Sequence, residues 1–224
     1  MNAKRSAEDL VRALRGAGIV DERLLEAVRA TPRAAFVPAG REAAARLDAP
    51  VPIAHEQVTT QPSLSARMIE GLRLTGDEHV LEIGTGLGFQ TALLARLAAD
   101  VVSVERWPDL AREARRNLDG QGIRNVELRT GDGSGGVPER APYDAILVSA
   151  AFPEVPAPLT DQLRVGGRLV QPVGPGGREQ VLAFCRTREG LERRELLTPA
   201  CFVPLRGRYG FPDQDPADAG EQSP

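Results

Sequence analysis

The chain predicts an α/β fold, a mostly parallel central sheet with helices on both faces, preceded by an N-terminal helical extension over residues 1–48. Three observations predict it. Short aliphatic and β-branched runs at 80–83, 101–104 and 144–148 alternate with segments whose apolar residues recur at helical spacing. Glycines and acids gather where those runs end, at Gly84-x-Gly86-x-Gly88, Glu105 and Gly131-Asp132-Gly133, which is where open parallel sheets bind ligands. With 224 residues, 42% of them hydrophobic, one domain has enough apolar surface for a sizeable core.

In order, Ser6 is placed to cap a helix over 7–15 that Gly16 and Gly18 end, and Asp21 to cap a second through Leu24, Leu25 and Val28, stopping near Pro32. Residues 31–38 read as extended or looped, because each proline biases its predecessor away from helix. The proline-bounded polar stretch 49–62 is long for a connection within a domain, and such loops tend to carry function. A helix over 63–72 returns the chain to the strand 80–83, so this loop is expected beside a ligand pocket. Helix 91–97, a strand closing on Glu105, helix 108–118, strand 126–129 and strand 144–148 follow. Residues 159–163 read as helical, Gly166-Gly167 as a turn and 168–173 as a strand. Residues 181–185 and 193–197 read as a pair of strands, and 202–205 as the strand that closes the sheet. The acidic run 213–224 has no apolar face and is expected to be disordered. The domain division expected is thus 1–48, then 49–212 with the loop 50–62, then the tail.

The glycine loop between strand and helix brings bare backbone N–H groups against a polar ligand. Glu105, ending the next strand, can accept both hydroxyls of a ribose. A dinucleotide site shares that acid but favours Gly-x-Gly-x-x-Gly and a pyrophosphate. Glu82, just before the loop, would repel a pyrophosphate and suits the cationic end of S-adenosylmethionine. Asp132 can accept from the exocyclic amine of adenine. A dinucleotide oxidoreductase and a glycine turn that only packs helix on strand remain the alternatives at this point.

A net charge of -3 and a pI near 5.6 exert no general pull toward nucleic acid or a membrane surface. No apolar run reaches the roughly 18 residues of a membrane span, and the N-terminus is not a signal-peptide core. Cys185 and Cys201 show no metal spacing and read as reduced, buried, structural thiols of a cytoplasmic protein. No metal site is expected. Trp107 is placed either to flank an adenine or to anchor the core, His55 to contact substrate or cap its loop, and His79 to face solvent.

Together these segments resemble the protein-L-isoaspartate (D-aspartate) O-methyltransferases. The residues carrying the resemblance are 34–38 (Ala-Ala-Phe-Val-Pro), 50–53 (Pro-Val-Pro-Ile), 57–62 (Gln-Val-Thr-Thr-Gln-Pro), 80–90, 102–106, 131–133, 141–144, 166–169 and 202–205 (Phe-Val-Pro-Leu). The match spans roughly residues 24–207. The resemblance implies a Rossmann-like S-adenosylmethionine-dependent methyltransferase fold. It implies methyl esterification of the α-carboxylate of L-isoaspartyl, and D-aspartyl, residues in damaged proteins or peptides, with S-adenosyl-L-homocysteine as product. The ester then closes to a succinimide whose hydrolysis returns some normal aspartate. The partners implied are isoaspartyl proteins or peptides, with no nucleic acid and no membrane, for a cytoplasmic monomer.

On this resemblance Thr60 supplies the catalytic hydroxyl that holds the reacting carboxylate. The cofactor side comprises Glu82, Gly84, Thr85, Gly86, Gly88, Glu105, Arg106, Asp132, Gly133 and Ser63, the last with a plain helix cap as its other reading. The substrate side comprises His55, Gln57, Val58, Thr59, Ser149, Phe202, Val203, Pro204 and Leu205. Where the family usually reads Gly-x-Gly-Gln-Thr-Ile-Ser, this chain has Ala54-His55-Glu56-Gln57-Val58-Thr59-Thr60. Threonine keeps the hydroxyl, while Glu56 adds a negative charge to a loop expected to receive a carboxylate. A methyltransferase acting on an aspartate of a dedicated natural-product peptide, and a non-catalytic S-adenosylmethionine-binding protein, are the remaining alternatives.

Overall fold

In the computed structural model, residues 3–175 and 177–212 are described. The expected tail, 213–224, lies outside them. Helices α1 (Ala3–Gly16) and α2 (Glu22–Arg29) open the chain, and the Asp21 carboxylate accepts from the N–H groups of Arg23 and Leu24 as the N-cap of α2. Residues 31–38 are not wholly extended, since Arg33–Phe36 forms a 3-10 turn that buries Arg33 and Phe36. Strands β1 (Val51–Pro52) and β2 (Val58–Thr59) pair antiparallel, so the long loop is a small ribbon before α3 (Pro62–Gly71).

The rest alternates as the apolar pattern requires. It runs β3 (His79–Ile83), α4 (Phe89–Leu97), β4 (Asp100–Glu105), α5 (Pro108–Gly120), β5 (Val126–Thr130) and β6 (Tyr143–Val148), then α6 (Ala157–Gln162), β7 (Leu163–Val173), β8 (Glu179–Arg186) and β9 (Leu191–Ala200). The seven-stranded sheet has the order β5-β4-β3-β6-β7-β8-β9. The five strands from β5 to β7 are parallel, and β8 and β9 are added antiparallel. Parallel strands are covered on both faces and so read as continuous apolar runs; Val80, Leu81, Val101, Val102, Ile146 and Leu147 are all fully buried.

The first two helices are not peripheral to that core. Leu10, Val11 and Leu14 of α1 and Leu24, Leu25 and Val28 of α2 share one apolar cluster with Met68 of α3, Leu93 and Leu94 of α4 and Val80 and Val101 of the sheet. A second cluster lies on the opposite face, around Tyr143, Ile146, Leu159 and Leu163.

Several expectations are corrected. Gly166 and Gly167 lie inside β7, and a Cβ on Gly167 would come within 2.8 Å of the Arg164 carbonyl, so the glycine serves close approach. Residues 202–205 do not close the sheet. After β9 the chain turns back across the strand ends, where Ala151 N–H donates to the Val203 carbonyl (2.8 Å) and Leu205 N–H to the Ala151 carbonyl (2.7 Å). His79 is partly buried against Tyr143, with Nδ1 2.7 Å from Asp100 and Nε2 2.9 Å from the Arg140 carbonyl. Cys201 is exposed and Cys185 half-buried, so neither is a core thiol.

Candidate active site

At the carboxyl ends of β3, β4 and β6 the glycine loop, the 53–60 ribbon and the returning segment 203–206 enclose a cavity. The glycine loop makes its floor. Gly84 has φ +96°, and a Cβ there would press on the Ser149 Cβ at 3.3 Å; Gly86 has φ +57°, the left-handed region that a side chain disfavours. Gly86 N–H donates to Glu105 Oε2 (2.8 Å) and Trp107 N–H to Glu105 Oε1 (3.0 Å). Burial raises the Glu105 carboxyl pKa, and these N–H groups, that of Arg106 and the Arg106 charge hold the rise in check. The carboxylate keeps acceptor capacity for a ligand hydroxyl. Among the described residues lining the cavity, Glu105 is the only carboxylate.

The ribbon supplies another wall, with Gln57, Val58, Thr59 and Thr60 all lining the cavity. The two threonines are used differently. Thr59 is buried, its hydroxyl accepting from Arg33 Nη2 (3.1 Å) and the Val51 N–H (3.3 Å), whereas Thr60 carries no such tie. Arg33 also donates to the carbonyls of Leu47 (2.7 Å) and Ala49 (2.8 Å), and burial lowers its pKa to about 10. A buried guanidinium thus staples the ribbon's base to the helical layer.

The ribbon's tip is fastened separately. The His55 ring stacks on Trp107 (centroids 3.9 Å apart, planes within 3°), and its Nε2 lies 2.9 Å from both Asp109 carboxylate oxygens. Trp107 lines the cavity and His55 does not, so His55 acts on the wall from behind. Glu56, beside it, is exposed at φ +57° on the turn and outside the cavity lining, which keeps its charge away from the cavity.

Of the other anticipated residues, Thr85, Arg106, Gly133, Ser149, Val203, Pro204 and Leu205 line the cavity. Six do not: Glu82, Gly88, Asp132, Ser63, Phe202 and His55. Gly88 packs against Ala114 and Leu118 of α5. Ser63 turns to Gln61 and Asp48, and Gln61 rather than Ser63 is the N-cap of α3. Phe202 faces a second, neighbouring cavity that also touches Val58 and Thr60. The Asp132 carboxylate is occupied by the hydroxyl and N–H of Ser134 and by the N–H of Arg208 (2.8 Å). Burial works to raise its pKa, but those donors and Arg106 hold it below the usual carboxylate range.

Glu82 is fully buried one layer behind the floor. It accepts from Thr91 Oγ1 (2.5 Å), Ser103 Oγ (2.6 Å) and Gln90 Nε2 (3.1 Å). Burial pushes its carboxyl pKa up to about 7 against those hydrogen bonds. Gln90, Ser65, Phe36, Phe89 and Arg206 line the cavity without having been singled out. For Gln90 the signal was available, a polar residue at the start of an otherwise apolar helix behind the glycines.

A family model for protein-L-isoaspartate (D-aspartate) O-methyltransferase matches residues 5–210. The chain is 49% identical over 209 residues to a protein-L-isoaspartate O-methyltransferase of Methanoculleus marisnigri, covering 93% of this chain and 94% of the relative. It is 50% identical over 194 residues to the enzyme of that name from Myxococcus xanthus, covering 85% and 92%. A solved protein-L-isoaspartate O-methyltransferase superimposes with a TM-score of 0.81 at 31% identity over 91% of this chain and 67% of that one. A Plasmodium falciparum structure in complex with S-adenosyl-L-homocysteine has the same fold, with a TM-score of 0.75 at 21% identity over 88% of this chain and 96% of that one.

Proposed function

The chain belongs to the protein-L-isoaspartate (D-aspartate) O-methyltransferase family, and from that premise we propose how its cavity carries out the family's reaction. The reaction is S-adenosylmethionine-dependent methyl esterification of isoaspartyl residues, the first step of their repair. The observation that carries the reading is that Glu105 and Thr60 line one cavity. The cavity's chemistry fits the methyl donor. One buried acid with acceptor capacity left suits a ribose hydroxyl, and two buried polar atoms without partners among the described residues, Trp107 Nε1 and Gln90 Oε1, stand in the lining residues for a ligand bearing both donors and acceptors. When bound, S-adenosylmethionine supplies an electrophilic methyl group on a sulfonium.

The chain's own side chains have modest work to do. The accepting carboxylate is ionised at neutral pH, so no general base is required. Thr60 donates its hydroxyl to that carboxylate and holds it in line. Glu105, with Gly86 and Trp107 behind it, takes the ribose, and Gly84, Thr85 and Gly133 shape the floor. Ser149 and residues 203–205 border the acceptor. Opposite charges are neutralised as the methyl moves, so excluding water with Phe36, Phe89, Val104 and Leu110 favours transfer. Asp132, with its carboxylate turned to Ser134 and Arg208, contributes by holding the 206–211 segment beside Gly133.

The same reading takes residues 49–212 as the methyltransferase domain and 1–48 as helices that brace it. It takes the protein as a cytoplasmic monomer that acts on isoaspartyl polypeptides without nucleic acid or membrane partners. The net charge of -3 gives no general pull toward a nucleic acid, and among the described residues no helix is long and apolar enough to cross a membrane. The test is release of base-labile methyl ester from an isoaspartyl peptide against the matched aspartyl peptide. Equal ester from both, or none from either, would overturn the reading.

A further inference from the structure

Gln90 is 7% exposed and lines the cavity, and its side-chain carbonyl oxygen is buried without a partner. Both of its N–H bonds are committed, one to Glu82 Oε1 (3.1 Å) and one to Ser149 Oγ (2.7 Å). That orientation has a chemical cause. The other Glu82 oxygen receives the hydroxyl protons of Thr91 and Ser103, and Ser103 is in turn 2.6 Å from the Thr85 hydroxyl. In its ionised form the Glu82 carboxylate only accepts, and in that form the amide turns its N–H side to Glu82 and leaves its carbonyl to the cavity, as the two N–H contacts have it.

A buried acceptor left unmet is unfavourable, and a ligand N–H would satisfy it. We propose that Gln90 Oε1 accepts from the ammonium of the methyl donor's amino-acid end, and that Glu82 is a positioning residue acting through Gln90. The inference rests on the reading of the cavity as the donor site. Glu105, the lining acid, is assigned the ribose, and the ammonium belongs to the other end of the donor. Ser149 and Thr60 line the cavity as neutral hydroxyls, so the negative charge of Glu82 reaches the ammonium only through the polarised amide. This replaces direct contact between Glu82 and the cation, which full burial forbids. A backbone N–H of the substrate peptide is the competing source of a donor.

The test is calorimetry with two probes, S-adenosylhomocysteine, which bears the ammonium, and 5′-methylthioadenosine, which lacks the amino-acid end. Gln90→Met is expected to weaken S-adenosylhomocysteine at least tenfold and 5′-methylthioadenosine less than twofold; the second figure also reports that the variant is folded. Glu82→Gln is expected to weaken S-adenosylhomocysteine too, and Glu82→Gln combined with Gln90→Met to be no weaker than Gln90→Met alone. Additive losses would place Glu82 in direct contact and overturn the positioning role. Equal loss of both probes in Gln90→Met would overturn the ammonium contact, as would unchanged S-adenosylhomocysteine binding with a raised peptide KM. Failure of the wild-type protein to bind either probe would instead sink the donor-site reading itself.

Discussion

Adjacent threonines, the last residue of β2 and the one after it, illustrate how a residue's role is set by its neighbours. Thr59 has its hydroxyl spent on Arg33 and the Val51 N–H, so Thr59→Val should destabilise the protein by about 1–3 kcal/mol, seen as a lowered Tm. Thr60→Ala should leave Tm and S-adenosylhomocysteine affinity nearly unchanged and cut turnover by on the order of tenfold or more. Thr60→Ser should restore most of that turnover; a loss of donor affinity equal to the loss of turnover would contradict the assignment. Glu82 makes a prediction of opposite sign. Its folded-state pKa, about 7, lies above the ordinary 4.5 of a glutamate, so the protein binds this proton more tightly than the unfolded chain does. Its contribution is therefore most favourable below pH 4.5 and is lost as pH rises toward 7. Glu82→Gln should gain stability relative to wild type as pH rises across that window, by on the order of 2–3 kcal/mol at neutral pH, read as a raised Tm. A Tm difference flat with pH would count against it. The same substitution is expected to weaken S-adenosylhomocysteine, which puts stability and binding in opposition at one carboxylate.

At the scale of elements, the 53–60 ribbon is a two-point attachment. Its base is held by buried Arg33, and its tip by the exposed His55 clamp on Trp107 and Asp109. The base should behave as part of the fold and the tip as a latch, because a polar contact open to solvent contributes little to global stability. His55→Ala is thus expected to barely move Tm, yet to make the ribbon the first site of limited proteolysis and to raise the peptide KM. Arg33→Met should lower Tm and loosen the ribbon together. Were His55→Ala to lower Tm as far as Arg33→Met does, the tip would be structural after all. Neither attachment was legible in the loop's own residues, since both partners come from elsewhere in the chain.

Across the whole molecule, the sheet's starting edge is tied by Glu78. Burial raises its pKa, but the N–H groups of Thr75 and Gly76, the Thr75 hydroxyl and Arg168 at 3.0 Å bring it down to about 2. This folded value lies below the ordinary 4.5 of a glutamate. The stabilisation is accordingly present above pH 4.5 and lost as pH falls through about 2, on the order of 2 kcal/mol from this group. Glu78→Gln should therefore lower Tm at pH 7, with the difference from wild type shrinking below pH 4.5 and closing only near pH 2, as followed by circular dichroism. A penalty of the same size at pH 7 and pH 2 would assign the effect to packing.

What the sequence alone determined is the alternation of strands and helices, the glycine loop, Glu105 and the hydroxyl-bearing ribbon, because each is written in local periodicity, backbone permissiveness or a contiguous motif. Depth and long-range partners were decided only by the tertiary structure. Glu82 and Asp132 looked alike as acids at strand ends, yet one is sealed behind Gln90 by Thr91 and Ser103 and the other is closed by Ser134 and Arg208. Residues 202–205 read as a strand because they are apolar and extended, but Val203 and Leu205 bond to Ala151 at the sheet's end, where residues 203–205 wall the cavity. A carboxylate's chemistry follows from which donors surround it, and donors 21 and 76 residues away become neighbours only once the sheet has formed.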